Sequence, residues 1–360
     1  MALSRVPEAT RRRLSSPNGK FPAAVSPAEN LGVSSYARRD LYEERQTVDA
    51  GIGAFATVAI PAGTRIFCED SLVMMPEEAT HLDLYRAVSA LSDDKQAVFW
   101  NLAASAKPGK NVAWINALRA CCDDETSDSF NAVVEDYERA WSIFETNRFT
   151  CKASVSTVAP PTLGVFPAAA RLNHSCAPNV FHRYNPLIRR LTVHALRDIE
   201  PGEELTTSYI DICHPTARRR ALLRHWGFRC KCAACTNPDE EADRRRKKLE
   251  DLFIRVTNRE RKRMRNEARW TAKDYEHSLG IVARTVRLLE TEGLVETDTM
   301  GIICVIGAQL GMKAGGKWRE QAEEWAKTAV EVDRKCLGED SMEYMRAVEV
   351  LEATRVKPKL

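Results

Sequence analysis

Arg171-Leu172-Asn173-His174-Ser175-Cys176-Ala177-Pro178-Asn179-Val180 gathers an Asn-His pair, a Ser, a Cys and a Pro-Asn turn signal beside an apolar run. Burying a cluster this polar is costly unless each group meets a hydrogen-bond or metal partner, so the stretch reads as a site rather than a core strand. Alone, it would equally suit a surface loop rich in turn formers. Two downstream segments change that reading: Gly202-Glu203-Glu204-Leu205-Thr206-Thr207-Ser208-Tyr209-Ile210-Asp211, and Phe228-Arg229-Cys230-Lys231-Cys232-Ala233-Ala234-Cys235. Upstream stands Gly51-Ile52-Gly53-Ala54-Phe55.

A chain of 360 residues has room for two or three folding units. Its net charge of +3 does not by itself argue for a polyanionic partner. No stretch approaches the roughly eighteen consecutive apolar residues of a membrane span, so no membrane partner is expected. Eleven cysteines are unevenly spread with no secretory signal ahead of them, which points away from a disulfide framework and toward a reducing compartment, nucleus or cytoplasm. Their thiols are then free for metal.

Residues 1–40 hold four prolines, Arg11-Arg12-Arg13, many Ser and Ala and no apolar periodicity, and read as a disordered tail. Scarce acidic residues there leave an organelle transit peptide, hence mitochondrial targeting, as the alternative. Strand chemistry begins near Thr47. The run from Ala56 to Cys68 reads as two short β segments around Pro61-Ala62-Gly63, and Leu191 to Leu205 repeats the pattern around Pro201-Gly202. Between these β corners, Leu82, Tyr85, Val88, Leu91, Val133, Val134, Tyr137, Trp141 and Phe144 recur at helical spacing. Cys121-Cys122 lack nearby Cys or His partners and read as structural. Asn147-Arg148-Phe149-Thr150 resumes strand character.

After Pro238 the chain turns helical and charged, with Arg and Lys concentrated in 244–248 and 259–265. That excess suits a nuclear-import or nucleic-acid patch, or a plain solvated helix face opposite the apolar stripe Leu249, Leu252, Phe253 and Val256. Apolar helical spacing continues through Leu279, Val282, Val286 and Leu289, with further helices near 299–312, 317–336 and 340–353. No clean repeat emerges.

Together, Asn-His-Ser-Cys-x-Pro-Asn, Glu-Leu-Thr-x-x-Tyr-x-Asp and Cys-x-Cys-x-x-Cys, in that order, resemble the SET-domain lysine methyltransferases over roughly residues 45–236. The tail resembles that of the SET and MYND type, but the insert lacks the dense Cys/His cluster of a MYND zinc module. The resemblance implies an α+β fold: small β-sheets with a helical insert, a post-SET zinc site and an all-helical C-terminal tail. The expected division is a tail at 1–40, a SET domain at 41–215 with its insert at about 77–146, a post-SET zinc segment at 216–238 and a helical domain at 239–360.

The implied activity moves a methyl group from S-adenosylmethionine to a lysine ε-amine of a protein, histone or other, by a chain that works as a monomer. By the same resemblance, Tyr209 is catalytic; its competing reading is a buried strand tyrosine. Gly51, Gly53, Ala54 and Phe55 would let backbone approach the cofactor, Asn173 would hold its amino-acid end and His174 its adenine, with Asn147 and Phe228 as further contacts. Cys230, Cys232 and Cys235 fall one short of the four ligands structural zinc takes. The resemblance supplies Cys176, while Cys213 and His214 lie nearer in sequence. Two rival functions stand beside this one: a SET-fold scaffold without turnover, and a nucleic-acid-associated factor acting through the Arg-rich segment.

Overall fold

The computed structural model describes residues 36–48, 50–104, 116, 128–151 and 162–356. Most of the N-terminal tail and Cys121-Cys122 lie outside the described residues. The chain forms two compact units, one taking in residues 68–171 and 188–191, the other residues 37–67, 172–187 and 192–360. In order, the described elements are β1 (Tyr36–Ala37), β2 (Tyr42–Gln46), β3 (Ile52–Ala56), β4 (Arg65–Glu69), β5 (Val73–Pro76), α1 (His81–Ser89), α2 (Asp93–Trp100), α3 (Asp128–Asn147), β6 (Arg148–Cys151), β7 (Thr162–Val165), β8 (Asn173–His174), β9 (Val180–Asn185), β10 (Arg190–Ala195), β11 (Glu204–Thr207), α4 (Thr216–Leu223), α5 (Ala233–Thr236), α6 (Glu240–Asn266), α7 (Ala272–Thr291), α8 (Asp298–Ala314), α9 (Trp318–Leu337) and α10 (Met342–Arg355). Small sheets with a helical insert and a helical C-terminal array are the expected fold class.

In the first unit, β7 pairs antiparallel with β5 and with β6. Helix α1 begins at a capping box in which Thr80 and Asp83 satisfy each other's backbone N–H groups. Leu84, Tyr85, Val88, Phe99, Val133, Tyr137, Ile143 and Phe144 are core. Of the residues that the helical spacing picks out, Tyr85, Val88, Val133, Tyr137 and Phe144 are among these, whereas Leu82, Leu91, Val134 and Trp141 pack against the core only partly buried.

In the second unit the first β segment ends sooner than the sequence suggests. Strand β3 stops at Ala56, and beyond it Ile60 is joined to Ile199 as an isolated bridge by two 2.9 Å backbone hydrogen bonds. Pro61 has no N–H to extend the ladder. Ala62 N–H instead donates to Asp198 Oδ1 at 2.8 Å, so the two Pro-Gly corners read from the sequence are paired with each other.

Helices α6 to α10 each pack against the next in sequence. Leu249, Leu252, Val256, Leu279, Val282, Leu289, Ile303, Cys304, Trp325 and Ala329 are buried between them. Thr271, Thr297 and Ser341 cap α7, α8 and α10 with their hydroxyls. Part of the basic run is structural: Arg245 and Arg246 turn inward onto the Glu292 carboxylate, whose side chain is 3% exposed. Arg246 also donates to the Ile212 carbonyl at 2.9 Å.

Candidate active site and metal centre

Strand β11 assembles the site. It pairs antiparallel with β3, Glu204 opposite Phe55 and Leu205 opposite Ala54, and parallel with β8, Thr206 opposite Asn173 and Thr207 opposite His174. Three sequence segments, one of them over a hundred residues from the other two, thus lie side by side. Asn179, fully buried, locks this arrangement: its side-chain amide donates to the Glu204 carbonyl at 2.8 Å while its Oδ1 accepts the Thr206 N–H at 2.7 Å. The sequence reading quoted Asn179 in its motif without a role. Its position after Pro178, where a side chain commonly bonds nearby backbone, was the available signal.

Asn173 donates from Nδ2 to Glu204 Oε1 at 2.7 Å. This pair presses against Gly53, where an added Cβ would stand 2.5 Å from Glu204 Oε1 and 2.9 Å from Asn173 Nδ2. Gly53 therefore needs to be glycine for a close approach, and Gly51, at φ +71°, for a left-handed turn. Ala54 is buried, so it offers a ligand only backbone, and Phe55 is half-buried under the Arg45 guanidinium. Glu204, unassigned from sequence, is the carboxylate that sets Asn173.

His174 uses both ring nitrogens. Nδ1 accepts the backbone N–H of Tyr209 at 3.0 Å, and Nε2 lies 3.3 Å from Cys176 Sγ. These partners assign the proton to Nε2, and burial holds the ring neutral by moving its pKa down to about 4. The Tyr209 hydroxyl donates to the Leu172 carbonyl at 2.8 Å, and burial, with the Glu204 charge, pushes the phenol above its ordinary value. The Tyr209 ring lies 5.1 Å from Trp226 and edge-on to Phe228 at 6.3 Å. Asp211 closes the following turn by accepting the Cys213 N–H at 2.8 Å.

Asn147 belongs to the first unit. It is the last residue of α3 rather than the first of a strand, because its side-chain amide donates to the Ile143 and Ala103 carbonyls, both at 2.7 Å.

Cys176, Cys230, Cys232 and Cys235 converge, with all four sulfurs within 4.8 Å of one another. Tetrahedral thiolate zinc with bonds of about 2.3 Å requires sulfurs about 3.8 Å apart, and Cys176 and Cys235 stand at 3.5 Å. Without a cation such thiols cannot all ionise. Hydrogen bonds from Cys176 and Cys230 hold the Cys232 thiol far below its ordinary value, while hydrogen bonds to Cys230 and Cys232, and then burial, drive Cys176 far above it. One divalent ion would relieve this, so the donor set fits zinc. The nearer alternatives are engaged elsewhere: Cys213 packs into the helical core and His214 Nδ1 pairs with Glu250.

Helix α4 fastens the cysteine segment. Arg219, 1% exposed, donates to the His214 carbonyl at 2.5 Å and the Ala234 carbonyl at 3.2 Å, and Arg220 donates to the Cys235 carbonyl at 2.7 Å. Sequence reasoning missed both arginines, which look like any basic helix. Arg219→Ala strands these carbonyls and opens a cavity, and is expected to cost about 3 kcal/mol in urea unfolding; a loss under about 1 kcal/mol would show that water replaces the guanidinium.

Residues 51–210 match the family model described as SET domain. The chain carries a SET domain. It is 32% identical over 215 residues to the histone-lysine N-methyltransferase set5 of Schizosaccharomyces pombe, covering 58% of this chain and 56% of that protein. It is 48% identical over 75 residues to the N-lysine methyltransferase SMYD2-B of Danio rerio and 44% over 78 to human SMYD2, covering 21% of this chain and 17% and 18% of theirs. The chain thus spans little more than half of set5 and under a fifth of the SMYD2 proteins. Among solved structures, the SET domain of LSMT bound to lysine and AdoHcy aligns with 89% of this chain and 88% of its own at 11% identity and a TM-score of 0.35. Gly51 to Tyr209 fall inside the SET domain, and Phe228 and three of the four cysteines follow it. No helix among the described residues is long and apolar enough to cross a membrane.

Proposed function

We propose that this SET domain transfers the methyl group of S-adenosylmethionine to the ε-amine of a lysine in a protein substrate, with Tyr209 orienting the amine. The observation that carries the reading is the Tyr209 hydroxyl: its one hydrogen is committed to the Leu172 carbonyl, so the oxygen meets a substrate only as an acceptor. An acceptor suits this chemistry. A neutral amine has N–H bonds to be directed, and a methyl on a sulfonium has polarised C–H bonds that make weak C–H···O contacts. A phenol held protonated is no base. None is needed if an apolar channel and the nearby sulfonium lower the lysine pKa from its usual value of about 10.4. The cofactor supplies the electrophilic carbon: the N–C bond forms as the S–C bond breaks, and its electron pair stays on sulfur.

In this reading Asn173, set by Glu204, and the Gly51–Phe55 backbone hold the cofactor with His174 and Phe228. The four thiolates hold zinc and tie Phe228 beside Tyr209. Similarity to set5 makes histones one substrate class to test, and the SMYD2 proteins extend the search to other lysine-bearing proteins. The reduced thiols suit nucleus or cytoplasm.

The test incubates the full chain with methyl-labelled cofactor and a panel of histones and cell proteins, followed by hydrolysis of the product. Label in methyl-lysine is expected. Cofactor binding without any transfer across the panel would make the chain a scaffold instead.

A further inference from the structure

Helix α6 presents a basic face that the fold does not consume. Its inward side is occupied by Leu249, Leu252 and Val256 against the helical core and by Arg245 and Arg246 against Glu292. On the outward side Arg244, Lys247, Lys248, Arg255, Arg261, Lys262 and Arg265 are all exposed. At 100° per residue these seven fall within an arc of about 140°, and from Arg244 to Arg265 they extend about 31 Å along the axis. Between Arg244 and Arg265 the same arc holds one carboxylate, Asp251, while Glu240 and Asp243 lie on it in the helix's first turn. Among the described residues only Arg244 of the seven has an acidic partner, Glu241 at 2.7 Å across exposed surface, where such a pair contributes little.

We infer that this face binds the phosphate backbone of duplex nucleic acid without regard to sequence. Of the alternatives read from the sequence, a merely solvated face would mix the two signs of charge, whereas from Arg244 to Arg265 this one sets seven cations against a single carboxylate. Other polyanions fit less well. A protein partner needs a desolvated apolar centre, yet the arc holds one exposed apolar residue, Ile254. A membrane surface needs an apolar helix face to insert, and the apolar face of α6 is already buried. A lysine-rich substrate protein is repelled by like charge. A regular polyanion asks only for cations spread along its length, each displacing condensed counterions. This surface is separate from the methyl-transfer site and does not depend on that reading.

The test measures fluorescence anisotropy of a labelled 20-base-pair DNA duplex of arbitrary sequence against the full chain at 50 and 200 mM salt. If about four to six phosphates are engaged, affinity falls roughly 10²- to 10³-fold between those salts. Lys248→Glu, Arg255→Glu and Lys262→Glu together should weaken binding at least tenfold at 50 mM. The same charge change placed on other helices, Lys327→Glu with Arg334→Glu and Arg346→Glu, should leave most of it. Melting temperatures near that of the parent establish that both variants fold. Equal losses in both variants, or a flat salt response, would overturn the inference. So would tighter binding of polyglutamate or of phosphatidylserine vesicles than of duplex, assigning the face to an acidic protein or to a membrane.

Discussion

Cys176→Ser is expected to abolish zinc binding at the four-cysteine cluster and loosen the segment from Thr216 to Asn237. The serine hydroxyl is too weakly acidic to replace a thiolate, so three sulfurs remain of the four that now lie within 4.8 Å. Structural zinc in small thiolate sites contributes roughly 10–16 kcal/mol, well above what the Arg219 and Arg220 hydrogen bonds supply to this segment, in which α5 is one turn long and Leu223 is the one fully buried non-cysteine of the described cluster. Cys176 is also the sulfur that faces His174 Nε2, at 3.3 Å, so its loss disturbs the ring that receives the Tyr209 N–H. Metal analysis should give about one zinc per parent chain and well under half in the variant, with a lower melting temperature and weaker cofactor binding. A chelator should bring the parent to the same state. Cys213→Ser, changing a thiol buried in the helical core, should keep its full zinc. Full zinc in Cys176→Ser would disprove the assignment, and loss of zinc in Cys213→Ser alone would move the ligand there.

Legibility from sequence followed locality. The two polar motifs and the cysteine triplet could be recognised because each concentrates its meaning in under a dozen residues, and the helices because their period is local. Pairings were hidden. Nothing near Glu204 announces that its carboxylate will lie against Gly53 and bond Asn173, since that contact exists only once β11 joins β3 and β8. Asn147 looked like the opening of a strand because Arg148 to Cys151 is one, yet its side chain finishes the helix before it. The Arg-rich run was ambiguous for a similar reason: a helix buries some members of a run and exposes others, and only a partner such as Glu292 reveals which are structural. Arg219 and Arg220 show the converse, common residues whose burial makes them braces of the cysteine segment.

Tyr209→Phe is expected to bind S-adenosylmethionine nearly as well as the parent and to transfer its methyl group about 10²- to 10³-fold more slowly. The ring keeps its contacts with His174, Trp226 and Phe228, and the hydrogen bond to His174 Nδ1 comes from the backbone, so both survive. What disappears is the hydroxyl and its bond to the Leu172 carbonyl, a loss of about 1 kcal/mol in stability. With it goes the oxygen that, in this reading, accepts from the amine or the methyl group. Alignment of reactants supplies roughly 7–11 kcal/mol in well-organised cases, and a single orienting contact holding about 3–4 kcal/mol of it accounts for the drop. Looser control of the amine should also shift the proportions of mono-, di- and trimethyl-lysine. Calorimetric titration of cofactor and single-turnover methylation on one preparation separate the outcomes. Unchanged rate and product distribution would reduce Tyr209 to a packing residue. Joint collapse of cofactor binding and melting temperature would make its hydroxyl a structural tie to Leu172, and the orienting group would have to be sought elsewhere along the strand.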